Sequence, residues 1–348
     1  MRHTLSILIV LLAAGCSKEQ PAVGKLVTAT VLAKAETTPV GTADDAADDP
    51  AIWRHPTDPA KSLIIGTDKR AGIHVYDMTG KAIGFTASPR LNNVDLRSNV
   101  KVNGKDAVLV AASDRRDEKN AAIALFTLDT TARKLVPLIN LPVGIGEAYG
   151  MCLWQRKADG QLYAFLVLKD GRIDQVELNV SGAPATGKLV RSMKLKTQSE
   201  GCVVDDRTGL LYVTEEGIGL WRFDADPSAS MKATQLGRTD GKQLVADAEG
   251  IAIMPVGADT GYLIISSQGD NAYAVYDLKT GRYRSRFRIG DSAIDGVQET
   301  DGLELALGDF GPNYPAGLFV TQDGDNSPET QNFKFTAWAD VLKVLKLD

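Results

Sequence analysis

The sequence predicts an all-β fold, a six-bladed β-propeller closed by an N-terminal strand that joins the last blade. Three observations carry that prediction: a segment that recurs six times, apolar runs of strand length, and a turn-rich composition. Of 348 residues, 33 are glycine and 14 proline while only 6% are aromatic, which favours many short elements separated by turns. With 44% hydrophobic and 24% charged residues, neither a disordered tail nor a polytopic membrane protein fits. The formal charge of −5 includes no basic block, which argues against a nucleic-acid partner.

The recurring segment is an acidic or amide cluster, usually followed by glycine or proline and then an apolar stretch. Its copies are Asp48-Asp49-Pro50-Ala51-Ile52-Trp53, Asn92-Asn93-Val94-Asp95-Leu96, Glu147-Ala148-Tyr149-Gly150-Met151, Ser199-Glu200-Gly201-Cys202-Val203, Ala248-Glu249-Gly250-Ile251-Ala252 and Thr300-Asp301-Gly302-Leu303-Glu304. They stand roughly 45 to 55 residues apart, the period of a propeller blade. A second apolar run follows each copy, as at Leu63 to Ile65, Leu211 to Val213 and Leu318 to Val320, and ends in polar residues. Strands apolar on both faces suit sheets stacked radially between neighbours. The last repeat lacks a fourth strand after Asn332 to Trp338, whereas Leu26 to Leu32 precedes the first repeat and is expected to complete the sixth blade. Closure of that kind removes an exposed edge.

The chain divides into a leader (1–16), a polar tether (17–24) and one propeller domain (25–348). Met1, Arg2 and His3 precede an apolar run from Leu5 to Ala14, too brief for a bilayer core of about 30 Å, which needs about 20 residues. Leu11 to Cys16 resembles a lipobox, so Cys16 is expected to carry the lipid anchor of an exported protein. The expected setting is a lipoprotein of the bacterial outer membrane, facing periplasm or surface, with a periplasmic or secreted protein as the alternative. Only Cys152 and Cys202 remain in the mature chain. Both sit in apolar stretches where a free cysteine behaves as a small buried hydrophobe, and unpaired thiols are favoured over the disulfide that an oxidising compartment allows.

Strand direction gathers the polar groups on one rim, because the start of each first strand and the end of each second strand meet in an antiparallel pair. The first set brings Asp48, Asp49, Asn92, Asp95, Tyr149, Glu200, Asp247, Glu249, Asp295 and Asp301; the second brings Lys69, Arg70, Arg115, Lys169, Asp170, Glu215, Glu216, Gln268, Asp323 and Asn326. So many carboxylates repel unless compensated, and their oxygens match calcium better than zinc or copper. Four cations on the same rim suit an anion with several negative charges, with arginine forks and lysine point charges as phosphate holders. Acid-Gly pairs are also common turn chemistry, so about three or four of the acids are explained as turn formers. The histidines His3, His55 and His74 are scattered. That disfavours a zinc site, a histidine-dependent triad, and a propeller lactonase with a histidine beside its metal.

At these residues the sequence resembles the β-propeller phytases, calcium-dependent secreted phosphatases, from about Lys25 to Trp338. The matching elements include Asp48 to Trp53, Lys69-Arg70, Asn92 to Arg97, Arg115, Tyr149-Gly150, Lys169, Glu200-Gly201 and Glu215-Glu216. They continue through Asp247-x-Glu249-Gly250, Ser266 to Gly269, the pair Asp295 and Asp301, and Gln322-Asp323-Gly324 ending in Asn326. The resemblance implies several calcium ions held by Asp48, Asp49, Asp170, Glu200, Glu216, Asp247, Glu249, Gln268, Asp295, Asp301 and Asn326. It implies that Lys69, Arg115 and Tyr149 hold the phosphate being cleaved, and that Glu216 helps to hold the ions around the attacking water. Arg70, Lys169 and Asn92, with Arg115 shared, belong to the neighbouring substrate site. Arg70 replaces a common lysine, and Asp170 stands where glutamate is frequent. The implied activity is hydrolysis of phytate, taken up as its calcium complex, by a monomer through metal-activated water. No cysteine, histidine or serine has a nucleophile setting that would support a covalent phosphoenzyme.

Overall fold

The computed structural model describes residues 27–347, so the leader, the lipobox with Cys16 and the tether lie outside the described residues. Six antiparallel sheets follow one another along the chain. The first is Ala47–Trp53, Leu63–Asp68, Gly72–Asp77 and Ala82–Ala87, and the second is Leu91–Val102, Lys105–Asp114, Asn120–Asp129 and Lys134–Ile145. The third is Ala148–Gln155, Leu162–Leu168, Arg172–Asn179 and Thr186–Lys194; the fourth is Ser199–Asp205, Leu210–Glu215, Gly219–Asp224 and Thr234–Arg238. Blade five is Ala248–Val256, Thr260–Ser267, Ala272–Asp277 and Tyr283–Gly290, and blade six is Leu303–Leu307, Gly317–Asp323 and Asn332–Ala337.

The apolar-on-both-faces pattern has the consequence the sequence predicts. The core is divided into clusters that each bridge two neighbouring blades, such as Val110 and Ile65 between blades one and two, or Leu153 and Leu109 between two and three. Second strands are buried along their length, Leu162–Leu168 and Gly317–Asp323 among them.

Closure differs from the expectation in one respect. Thr28–Leu32 does not complete blade six; it runs parallel to Tyr283–Gly290 as a fifth strand of blade five, from Thr28 opposite Arg286 to Leu32 opposite Gly290. The two-residue strand Ala35–Glu36 completes blade six, with Ala35 opposite Phe335 and Glu36 opposite Lys334. A parallel neighbour demands a long crossover, and the run of blades between the two strands supplies it. Only Val31 of this segment is buried, so it covers the edge of blade five. The C-terminal helix Trp338–Leu345 braces it: Trp338 is fully buried beside Val31, Phe287 and Phe319, and Lys34 pairs with Asp340 at 2.8 Å. Among the described residues no helix is long and apolar enough to cross a membrane.

A second correction concerns the cysteines, which form a disulfide, Cys152–Cys202, rather than standing as free thiols. The innermost strands of blades three and four lie flank to flank, so residues 50 apart, one blade period, bring their Cα atoms to 5.6 Å. That is within the span a disulfide requires. Neither cysteine's own neighbourhood in the sequence reveals this, because the contact is made by the repeat.

Candidate active site

The first strands of blades one, two, four and five open on a β-bulge, two residues facing one. Asp48 and Asp49 face Thr67, Asn92 and Asn93 face Ser113, Glu200 and Gly201 face Thr214, and Glu249 and Gly250 face Ser266. A bulge lifts its residues out of the ladder and re-aims their side chains, here the first of each pair toward the propeller axis. The hydroxyl across each bulge takes up backbone groups the ladder has lost. Thr67 Oγ1 accepts from the Asp49 N–H at 3.0 Å and Ser113 Oγ from the Asn93 N–H at 3.0 Å. Thr214 Oγ1 donates to the Glu249 carbonyl at 2.6 Å, and Ser266 Oγ to the Thr300 carbonyl at 2.7 Å. The glycines admit the neighbouring blade: a Cβ on Gly150 would lie 1.8 Å from the Glu200 carbonyl oxygen.

These devices surround a cavity of about 600 Å³ whose lining includes Lys69, Tyr149, Gln198, Glu216, Asp247, Glu249, Gln268 and Asp301. Carboxylate oxygens of Glu200, Glu216 and Glu249, all buried, lie within 4.8 Å of one another. Asp48 Oδ2, Glu216 Oε1 and Glu249 Oε2 are buried with no hydrogen-bond partner among the described residues. Burial, reinforced by Asp48 and Asp301, pushes Glu200 well above the usual carboxylate range. Burial with Glu200 and Asp301 does the same to Glu249. Burial raises Glu216 to about 7 and Asp301 to about 7, and raises Asp48. An acid so placed must bind a proton or a cation.

Lys69 supplies one cation. Its ammonium meets Asp48 Oδ1 at 3.1 Å, Asp301 Oδ2 at 3.2 Å and the carboxylate of Asp45. Burial alone would depress it, but Asp48, Asp301 and Asp45 hold it above its ordinary value. Gln268 Nε2 donates to Asp301 Oδ1 at 2.6 Å, which fixes that carboxylate. Asn92 Nδ2 donates to Glu200 Oε1 at 2.8 Å while its Oδ1 accepts from Arg115 Nη1 at 2.8 Å. Arg115 and Lys169 both approach the Tyr149 ring, 5.3 and 5.2 Å from its centroid, and both pair with Glu147. Burial, then Glu200, Glu249 and Glu216, raise the Tyr149 hydroxyl far above its ordinary value, so it remains a donor.

Thus Asp48, Lys69, Asn92, Arg115, Tyr149, Glu200, Glu216, Asp247, Glu249, Gln268 and Asp301 come together, with Lys169 joined through Tyr149. Arg70 lies at the margin, half exposed, its Nε donating to the Asp45 carbonyl at 3.2 Å. Four expected ligands are not in the cluster. Asp49 turns the other way and accepts from the Val94 N–H at 2.9 Å, beside Asp95 and Glu304 in a small pocket below. Asp170 turns outward to Lys194, and Asp295 and Asn326 surround Lys334. Glu215 serves the backbone, accepting from the N–H groups of Lys196 and Thr197 and from Trp221. Asp45 and Glu147, the carboxylates on the substrate-site cations, were not anticipated as site residues. The Ser or Thr opposite each of these bulges is a signal in the sequence that marks the bulge, whose first residue, Asp48, Asn92, Glu200 or Glu249, points inward. His55 and His74 lie away from the cavity lining, His55 in a turn and His74 against Phe85.

A family model described as Phytase matches residues 2–348. Among curated proteins the chain is similar to the 3-phytase of Bacillus subtilis (strain 168), 41% identical over 326 residues that cover 90% of this chain and 85% of that protein. Among solved structures it is similar to a glucose dehydrogenase, with a TM-score of 0.52 over 82% of this chain and 96% of that one. At 11% identity this last likeness shows the propeller fold alone.

Proposed function

The chain belongs to the phytase family, and from that premise we propose that it is a calcium-dependent phosphomonoesterase. It releases phosphate from phytate, myo-inositol hexakisphosphate, by attack of water. The observation that carries the calcium dependence is the set of buried carboxylate oxygens without partners at the cavity of Glu200, Glu216 and Glu249. Their donor set is all oxygen and crowded, as a hard divalent cation requires. Asp48, Glu200, Glu216, Asp247, Glu249, Gln268 and Asp301 would hold the ions. When bound, calcium supplies charge neutralisation at the phosphoryl oxygens and a water acidified for attack.

The chain's own groups do the rest. Lys69 and Arg115 hold the oxygens of the phosphate being cleaved, Lys69 by exchanging a carboxylate contact for a phosphate one. Tyr149, kept protonated, donates a hydrogen bond, and its ring helps to position Arg115 and Lys169. Arg70 and Lys169 extend cationic reach toward a second phosphate, the property that distinguishes a polyphosphorylated substrate from a simple ester. The reading extends to the chain's setting: export, anchoring through Cys16, a monomeric state, and calcium phytate as the species taken up. The deciding experiment is phosphate release from calcium phytate with and without chelator. Release that survives excess chelator undiminished would end the calcium assignment, and absence of release at every calcium level would end the substrate assignment.

A further inference from the structure

Lys334 is buried without exposure of its side chain, a costly place for an ammonium unless oxygens surround it. They do. Its Nζ meets Glu36 Oε2 and Asp295 Oδ1 in close ion pairs, Asn326 Oδ1 at 3.1 Å and Asp323 Oδ2 at 3.3 Å. These oxygens come from four separate stretches of chain: the closing strand Ala35–Glu36, the connection between blades five and six, the end of Gly317–Asp323, and the loop after it. Along Asn332–Ala337, Phe333 and Phe335 enter the cluster between blades six and one, which leaves Lys334 on the opposite face, toward blade five. Asn332 Nδ2 also donates to Glu36 Oε2 at 3.0 Å, fixing that carboxylate.

Three carboxylates and an amide oxygen drawn from distant segments are the donor set of an oxygen-liganded divalent ion, yet the centre is filled by a side chain. We propose that Lys334 replaces a structural cation: its ammonium ties the closing strand to blades five and six. Ring closure in this chain then needs no calcium, and Asp295 and Asn326 ligate none. A cation bound to these oxygens at 2.3–2.6 Å would collide with Nζ where it stands. The inference concerns closure and does not rest on phosphate-ester hydrolysis.

The test counts metal and measures melting, with no activity readout. Asp295→Asn, at a half-exposed position, removes one carboxylate from Lys334. The variant should bind as many calcium ions per chain as the parent by elemental analysis, and its Tm should fall by a similar few degrees in chelator and in calcium. A calcium count lower by one, or a Tm loss seen only in calcium, would overturn the proposal. Lys334→Ser empties the centre and leaves Glu36, Asp295, Asp323 and Asn326 facing one another. It should melt well below the parent in chelator and gain one calcium per chain, with recovery of Tm. Folding without gaining an ion would also overturn the proposal. If Lys334→Ser does not fold, Asp295→Asn decides alone. A parent chain that binds no calcium at all would defeat the calcium dependence proposed above, while the Asp295→Asn shift in chelator would still test Lys334.

Discussion

Without metal, the stability of this protein should fall as pH rises from 5 to 8, opposite to the trend expected where carboxylates are paired. Glu216 is only 7% exposed, and burial raises its carboxyl from 4.5 to about 7; Asp301 moves the same way, from 3.8 to about 7. A raised folded value means that between about pH 4 and 7 the native state binds more protons than the unfolded chain. Stability is then lost as pH rises through that window, and the loss is complete above the folded value. At 1.36 kcal/mol per unit, Glu216 alone carries about 3 kcal/mol. For a domain of this size that is a drop in Tm on the order of 5 °C. Differential scanning calorimetry in excess chelator across pH 5 to 8 measures it, with a parallel series in calcium. The ion binds the deprotonated carboxylates of the native state and should abolish the decline. Glu216→Gln, which cannot titrate, should remove its share of about 3 kcal/mol from the decline in chelator and leave the part carried by Asp301, with the fold intact. A Tm in chelator that is constant or rises over this range would refute the reasoning, as would an identical decline in calcium.

Glu216→Gln should also lower turnover on calcium phytate by two or more powers of ten, roughly 3 kcal/mol in the barrier, with circular dichroism unchanged; near-normal turnover would return Glu216 to a structural role. Lys69→Ala should act mainly on kcat, because its ammonium lies among Asp48, Asp301 and Asp45. Arg70→Ala at the margin should raise KM for phytate and leave a simple monoester unaffected; equal losses on both substrates would erase the distinction. Cys202→Ser should cost about 2 to 4 kcal/mol, since the bridge closes a 50-residue loop, and reductant should lower the parent's Tm to the variant's; coincident melting curves for parent and variant would contradict it. Gly150→Ala, whose Cβ would meet the Glu200 carbonyl at 1.8 Å, should displace Glu200 and weaken calcium binding in a titration, whereas unchanged binding would show that the strand yields freely there.

The blade count and the inward-facing acids were legible because both follow from local chemistry repeated at a fixed period. Glu200-Gly201 and Glu249-Gly250 stand at the same place in their blades, and a hydroxyl at Thr214 or Ser266 stands opposite each. What the sequence concealed are contacts between segments far apart in it. The Cys152–Cys202 bridge, the exchange of closing strands and the encirclement of Lys334 all depend on which strand edges lie side by side. Asp295 and Asn326 show the limit most clearly. Nothing local to either residue signals that Lys334, between Phe333 and Phe335, meets both.

The position of the closing strands also imposes an order of events. Glu36 is among the first residues of the domain to be synthesised, and its partner Lys334 follows 298 residues later. Blades one to four can pair within themselves as they emerge, but blade five must recruit Thr28–Leu32 and blade six Ala35–Glu36 from the start of the domain. A contact this distant carries the full entropy of loop closure and forms late. Until then the chain lacks its fastening and remains open to being unravelled and threaded. A lock made of strands from the two ends of the domain thus delays commitment to the native state until the whole domain has been synthesised, which suits the export proposed above.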